Sequence, residues 1–138
     1  MAITHFRDHG LMDPRYSAYK SKSGATRLIG AFRYSCRGFW AAFRHEAAFR
    51  QELLLIIVLA PIAVWLGRSP GEVVLLIAPL ILVLIVELLN SAIEALADTV
   101  TLEHHPLIGR AKDLGSAAVF LTILLAALVW VVVLCLRI

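Results

Sequence analysis

Three long stretches almost free of charge constrain this chain more than any other feature: Leu53 to Leu66, Val73 to Val86 and Ala117 to Leu136. The hydrocarbon core of a bilayer is about 30 Å thick, and a helix crosses it with about 20 apolar residues. The first stretch is short alone, but its flanking Glu52 and Arg68 can snorkel towards the headgroups. The pattern predicts three membrane-spanning helices. Hydrophobic residues make up 60% of the 138 positions, above the roughly 45–50% of soluble domains, and the excess is blocked rather than scattered.

Charge sets the orientation. Nine of the thirteen Lys and Arg lie at or before Arg50, so the positive-inside rule places that end in the cytoplasm. Three crossings then put Gly67 to Glu72 outside, Asp98 to Asp113 inside and the C-terminus outside. Arg110 and Lys112 agree; Arg68 and Arg137 dissent. The basic residues adjoin a membrane domain and form no soluble basic fold, which argues against nucleic acid as a partner. Cys36 and Cys135 fall at opposite ends of this topology and read as packed hydrophobes, not a disulfide. The first 52 residues hold no apolar signal-peptide core, so the first span is its own insertion signal.

Residues 1–24 are polar and mixed, and read as a mobile tail. A membrane domain over 25–138 follows, with a surface helix over about 26–50 and spans over about 52–67, 72–97 and 114–137. Leu28, Phe32, Phe39 and Phe43 recur at helical spacing opposite Arg33, Arg37 and Arg44, an amphipathic helix with aromatics towards lipid. Pro61 and Pro79 read as kinks inside spans, because neighbouring helices can satisfy the freed carbonyls. Thr99 to Arg110, with Pro106 and Gly109, suits a loop. The fold class is all-α.

The second span is not uniformly greasy. It carries Glu87, Asn90, Ser91 and Glu94, followed by Asp98. At about 100° per residue, these four positions all fall within about 60° of Glu87 on one stripe. Counted from Val73 at about 1.5 Å per residue, Glu87 lies roughly 21 Å deep and Glu94 roughly 31 Å. Glu87 is thus just under the cytoplasmic interface and Glu94 at it. Ionisable groups at membrane depth cost several kcal/mol and mark function by default. A carboxylate away from water can act as general base towards a hydroxyl. One at the wet edge can hold Mg²⁺, which keeps its waters and bridges to phosphates. Glu46, where the surface helix turns into the membrane, is a second acidic candidate, and Lys112 is placed for phosphate charge.

Polar residues also glue membrane helices together; one Asn or Ser needs no more explanation, two glutamates on one stripe do. Trp40, Trp65 and Trp130 read as interface anchors or packing, and His45, His104 and His105 show no ligand spacing. No phosphate loop of the G-x-x-x-x-G-K-[ST] type and no protein-kinase signature set is present.

Three stretches resemble the prokaryotic integral-membrane diacylglycerol kinase family: His45-Glu46-Ala47-Ala48-Phe49-Arg50-Gln51-Glu52, Val86-Glu87-Leu88-Leu89-Asn90-Ser91-Ala92-Ile93-Glu94, and Gly109-Arg110-Ala111-Lys112-Asp113-Leu114-Gly115-Ser116-Ala117-Ala118. The resemblance runs from about Ala25 to the C-terminus, with His45 where the family usually has Asn. It implies a homotrimeric helical bundle in the bacterial inner membrane that moves the γ-phosphate of MgATP to the hydroxyl of diacylglycerol, giving phosphatidic acid. It implies Glu87 as general base, Asn90 in support of it, and Glu46 and Glu94 as the metal ligands. Arg27, Tyr34, Glu103, His105, Lys112 and Asp113 sit where the family contacts nucleotide. Ala31, Arg33, Cys36, Trp40, Phe43, Ala48, Gln51, Glu52, Trp65, Arg68, Ser116 and Trp130 sit along its lipid cleft. Two rival readings are a polyprenol kinase, as in Gram-positive relatives that phosphorylate undecaprenol, and a small oligomeric ion channel lined by Glu87 and Glu94.

Overall fold

A computed structural model describes residues 24–100 and 105–137. Those residues form four helices: α1 (Gly24–His45), α2 (Ala47–Leu66), α3 (Pro70–Val100) and α4 (Pro106–Cys135). No strand occurs among them. The last three are long and apolar enough to cross a membrane, so the chain is an all-α membrane protein. The expected tail, apart from Gly24, and Glu103 and His104 lie outside the described residues.

The segment of α1 up to Arg37 forms one unit and the chain from Gly38 onwards another. In the first, every described residue but half-buried Gly30 is exposed, Leu28 and Phe32 with Arg27 and Arg33.

In the second unit the chain breaks at Glu46, whose extended backbone (φ −102°, ψ 117°) separates α1 from α2. The surface helix expected to reach about Arg50 therefore ends at His45. Arg50, one turn into α2, donates from Nη1 to the carbonyls of Phe43 (3.1 Å) and Arg44 (3.3 Å). Those are end-of-helix carbonyls with no partner inside α1, where a cation also suits the helix dipole. Ala42 and Phe49 are buried at the corner, and the Phe39 and Phe49 rings pack 6.4 Å apart.

Both prolines lie inside continuous helices. Pro79 has no N–H for the Leu75 carbonyl. At the next carbonyl, that of Leu76, the Trp130 indole of α4 donates at 3.1 Å. The turn between α2 and α3 is tight: a Cβ on Gly67 would lie 2.4 Å from Val73 Cγ2 and 3.1 Å from the Ala63 carbonyl oxygen. Ser69 then opens α3, its Oγ accepting from the Glu72 N–H while Glu72 accepts from the Arg68 N–H. Ser69 makes its half of a capping box, the Glu72 carboxylate reaches one residue further back than the box requires, and Pro70 takes the first helical position. Arg137, past the end of α4, pairs with the same Glu72 carboxylate.

α4 starts at Pro106, eight residues before the expected span, because His105 caps it by accepting at Nδ1 from the Leu107 N–H (3.3 Å). α3 is the central helix, packed on α4 and α2. Ala63, Leu76 and Val133 form one buried cluster; Leu80, Val83 and Ala126 form the next, with Trp130 against both.

Candidate functional site

The buried face of α3 changes character along its length. Near the Gly67 turn it is apolar, through Leu76, Leu80 and Val83; towards the other end it becomes Glu87 and Asn90, which are 4% and 8% exposed. Ser91 and Glu94 are half-buried on the same side, while Leu89, Ile93 and Leu96 turn outward. The helix is greasy outside and polar inside at this end. That inversion is what a bilayer permits and water forbids.

Glu87 is the centre of an acidic group. Glu46, at the start of α2, and Glu94, two turns further along α3, are near enough for their charges to act on it. Glu52, one turn into α2, is a third such neighbour. The break at Glu46 helps to make this cluster, since it turns the chain so that Glu46 at the corner and Glu52 on α2 both come near Glu87 of α3. Glu46 precedes α2 without capping it, so its carboxylate is not used up by the helix.

Asn90, one turn from Glu87 on the same face of α3, donates from Nδ2 to Glu94 Oε1 at 3.1 Å. Beyond them, Lys112 Nζ of α4 sits 3.1 Å from Asp98 Oδ1 and near enough to Glu94 to feel its charge. Asp98 was the last member of the sequence stripe and was not assigned a role; the pairing with Lys112 gives it one. Asp113 and Ser116 are exposed on α4.

Three polar atoms in this region are buried without a hydrogen bond: Glu52 Oε2, Asn90 Oδ1 and Ser91 Oγ. Glu52 borders a cavity of about 300 Å³ between α2, α3 and α4, otherwise lined by apolar residues such as Leu59, Leu80, Ala126 and Trp130. A carboxylate at the mouth of an apolar cavity suits a ligand with one polar end.

The remaining expected site residues separate by position. Trp40 and Phe43 stack with ring centroids 6.1 Å apart, near the start of α2, where Ala48 and Gln51 are exposed. Trp65 and Arg68 lie at the far end of α2, nearly the length of that helix from Glu46, and are not gathered with the carboxylates. Arg27, Ala31, Arg33, Tyr34 and Cys36 belong to the α1 unit up to Arg37, each exposed there. His105 serves as a cap, and Glu103 lies outside the described residues.

Among the described residues no three His, Cys, Asp or Glu side chains converge as a metal cage. Mg²⁺ needs no such cage, since it is held by one or two carboxylates plus waters and phosphate oxygens, and Glu46 and Glu94, both beside Glu87, are donors of that type.

Fold and site together define a three-span membrane protein with a buried carboxylate centre at one end of its central helix. The sequence model described as Prokaryotic diacylglycerol kinase matches residues 33–134. A diacylglycerol kinase of Pseudomonas aeruginosa is 52% identical over 118 residues, covering 86% of this chain and 96% of the relative. That of Escherichia coli K12 is 49% identical over 112 residues, covering 81% and 92%, and that of Haemophilus influenzae 44% over 112 residues, covering 81% and 94%. The chain belongs to the prokaryotic diacylglycerol kinase family, and it is an enzyme of the kinase class. The resemblance carried by the three sequence stretches holds.

Proposed function

We propose that the chain transfers the γ-phosphate of ATP to the free hydroxyl of membrane diacylglycerol, giving phosphatidic acid and ADP. The observation that carries this reading is the cluster of Glu46, Glu52 and Glu94 around buried Glu87, beside an apolar cavity and within a family of that name. Glu87 takes the proton of the lipid hydroxyl as its oxygen forms the new bond to phosphorus and the bond to the ADP oxygen breaks. Glu46 and Glu94 hold Mg²⁺, which neutralises phosphate charge when bound. Lys112 adds a cation beside Glu94, and Glu52 with Trp130 borders the space for the lipid. Phosphoryl transfer asks mainly for positioning and charge neutralisation, so a small protein with no phosphate loop can support it.

The active end faces the cytoplasm, a reading supported by the basic residues up to Arg50. Exposed Leu, Ile and Val along α2 to α4 offer apolar surface to lipid or to further copies, and a homotrimer, as the family resemblance implies, is the assembly proposed. The test is ATP-to-diolein phosphate transfer in mixed micelles with Mg²⁺. Removing a general base costs about 10²–10⁴-fold, so Glu87→Gln should lose turnover by that factor while still binding MgATP. Glu94→Gln should weaken metal-nucleotide binding. Near-normal turnover of Glu87→Gln would refute its role, and a strong preference for undecaprenol would move the substrate to polyprenols.

A further inference from the structure

Gly115 stands where α4 comes nearest to the polar end of α3. A Cβ placed there would lie 2.2 Å from Asn90 Oδ1, 3.3 Å from its Cγ and 3.8 Å from its Cα. The first distance is impossible and the last is ordinary contact. The obstruction is therefore the far end of one side chain, with no backbone in the way. The cheapest relief is for the Asn90 amide to rotate off α4, leaving the two helices packed as before.

Rotation would break the amide's one hydrogen bond, from Nδ2 to Glu94 Oε1. The amide oxygen is buried with no partner, which ordinarily costs free energy and which a freely chosen rotamer would avoid. The orientation seen thus serves the nitrogen, and the missing side chain at position 115 is what makes room for it. Groups that orient a metal-binding carboxylate influence the metal almost as much as the carboxylate does.

We propose that Gly115 is a positioning residue for the metal-nucleotide site: by lacking a Cβ it seats Asn90, and Asn90 holds the Glu94 carboxylate in place. This rests on the reading of Glu94 as a metal ligand, and the test separates the two. Binding of Mn²⁺ to the purified full chain in detergent, with a non-hydrolysable ATP analogue, is read from the EPR signal of free Mn²⁺. Glu94→Gln is the benchmark; binding as tight as the parent's would remove the metal reading itself. With that benchmark weakened, Gly115→Ala and Asn90→Ala should each weaken Mn²⁺ binding about tenfold. The double variant should be no worse than Asn90→Ala, because both changes act through one bond. In turnover, the Mg²⁺ requirement should rise while the KM for diolein stays put, a split that general loosening of the bundle would not produce.

Parent-like Mn²⁺ binding by Gly115→Ala, or multiplied losses in the double variant, would overturn the proposal. If Gly115→Ala alone fails to fold, the double variant decides: folding with the Asn90→Ala affinity supports the proposal, and failure to fold overturns it.

Discussion

Replacing Trp130 by Phe tests how the three spans hold together. Its indole joins two buried clusters and donates to the Leu76 carbonyl across 54 residues of sequence. Phe keeps a ring but removes the N–H. Side-chain hydrogen bonds between membrane helices average about 0.6 kcal/mol and reach about 1.7. The missing five-membered ring takes away about a water's share of volume, ~30 Å³. At ~24 cal/mol per Å³ of unfilled cavity that adds about 0.7 kcal/mol. Trp130 is only half-buried, so part of that space refills, and the expected loss is about 1–2 kcal/mol. The assay is reversible unfolding in mixed micelles against SDS mole fraction, at fixed protein concentration because assembly couples to stability. Trp65→Phe is the control, since Trp65 is 84% exposed. A loss within about 0.3 kcal/mol of that control would mean that the bond and packing at Trp130 do not join the helices as described.

The α2–α3 turn gives two further tests. Gly67→Ala meets backbone as well as Val73, so overpacking should cost about 1–3 kcal/mol, read as a lower midpoint of thermal unfolding by circular dichroism. Glu72→Ala should cost more than Arg137→Ala, because it removes the acceptor for the Arg68 N–H as well as the ion pair. The difference should be about 1 kcal/mol in the same unfolding measurement, and equal losses would show that the bond from the Arg68 N–H contributes nothing.

The three spans were legible because bilayer thickness fixes helix length and charge-free runs betray it. The carboxylate stripe was legible because helical spacing needs no knowledge of neighbours. Other features needed the fold. No Gly or Pro marks the break at Glu46; it is stabilised by Arg50 reaching back over the corner, a contact with no local pattern. Arg137 read as a charge against the expected topology, and only the turn of the chain shows it paired with Glu72. His105 and Pro106 fall in a stretch whose composition suits a loop, although Pro in the first helical position is a start signal, and α4 begins there. Asn90 and Gly115 are on different helices, so their contact could not be inferred from spacing. The resemblance supplied Trp65 and Arg68, which the fold sets at the far end of α2 from the acidic cluster.

The 31 residues of α3 span about 45 Å at 1.5 Å each, against a hydrocarbon layer of about 30 Å. One end carries the Ser69 cap and the Arg137 pair; the acidic group, centred on Glu87, lies in the other half. A rod longer than its solvent absorbs a change in membrane thickness by tilting, kinking or deforming the bilayer beside it. The depth at which the acidic group sits is therefore set by the bilayer as well as by the chain, and the membrane acts on this protein as a medium whose thickness matters.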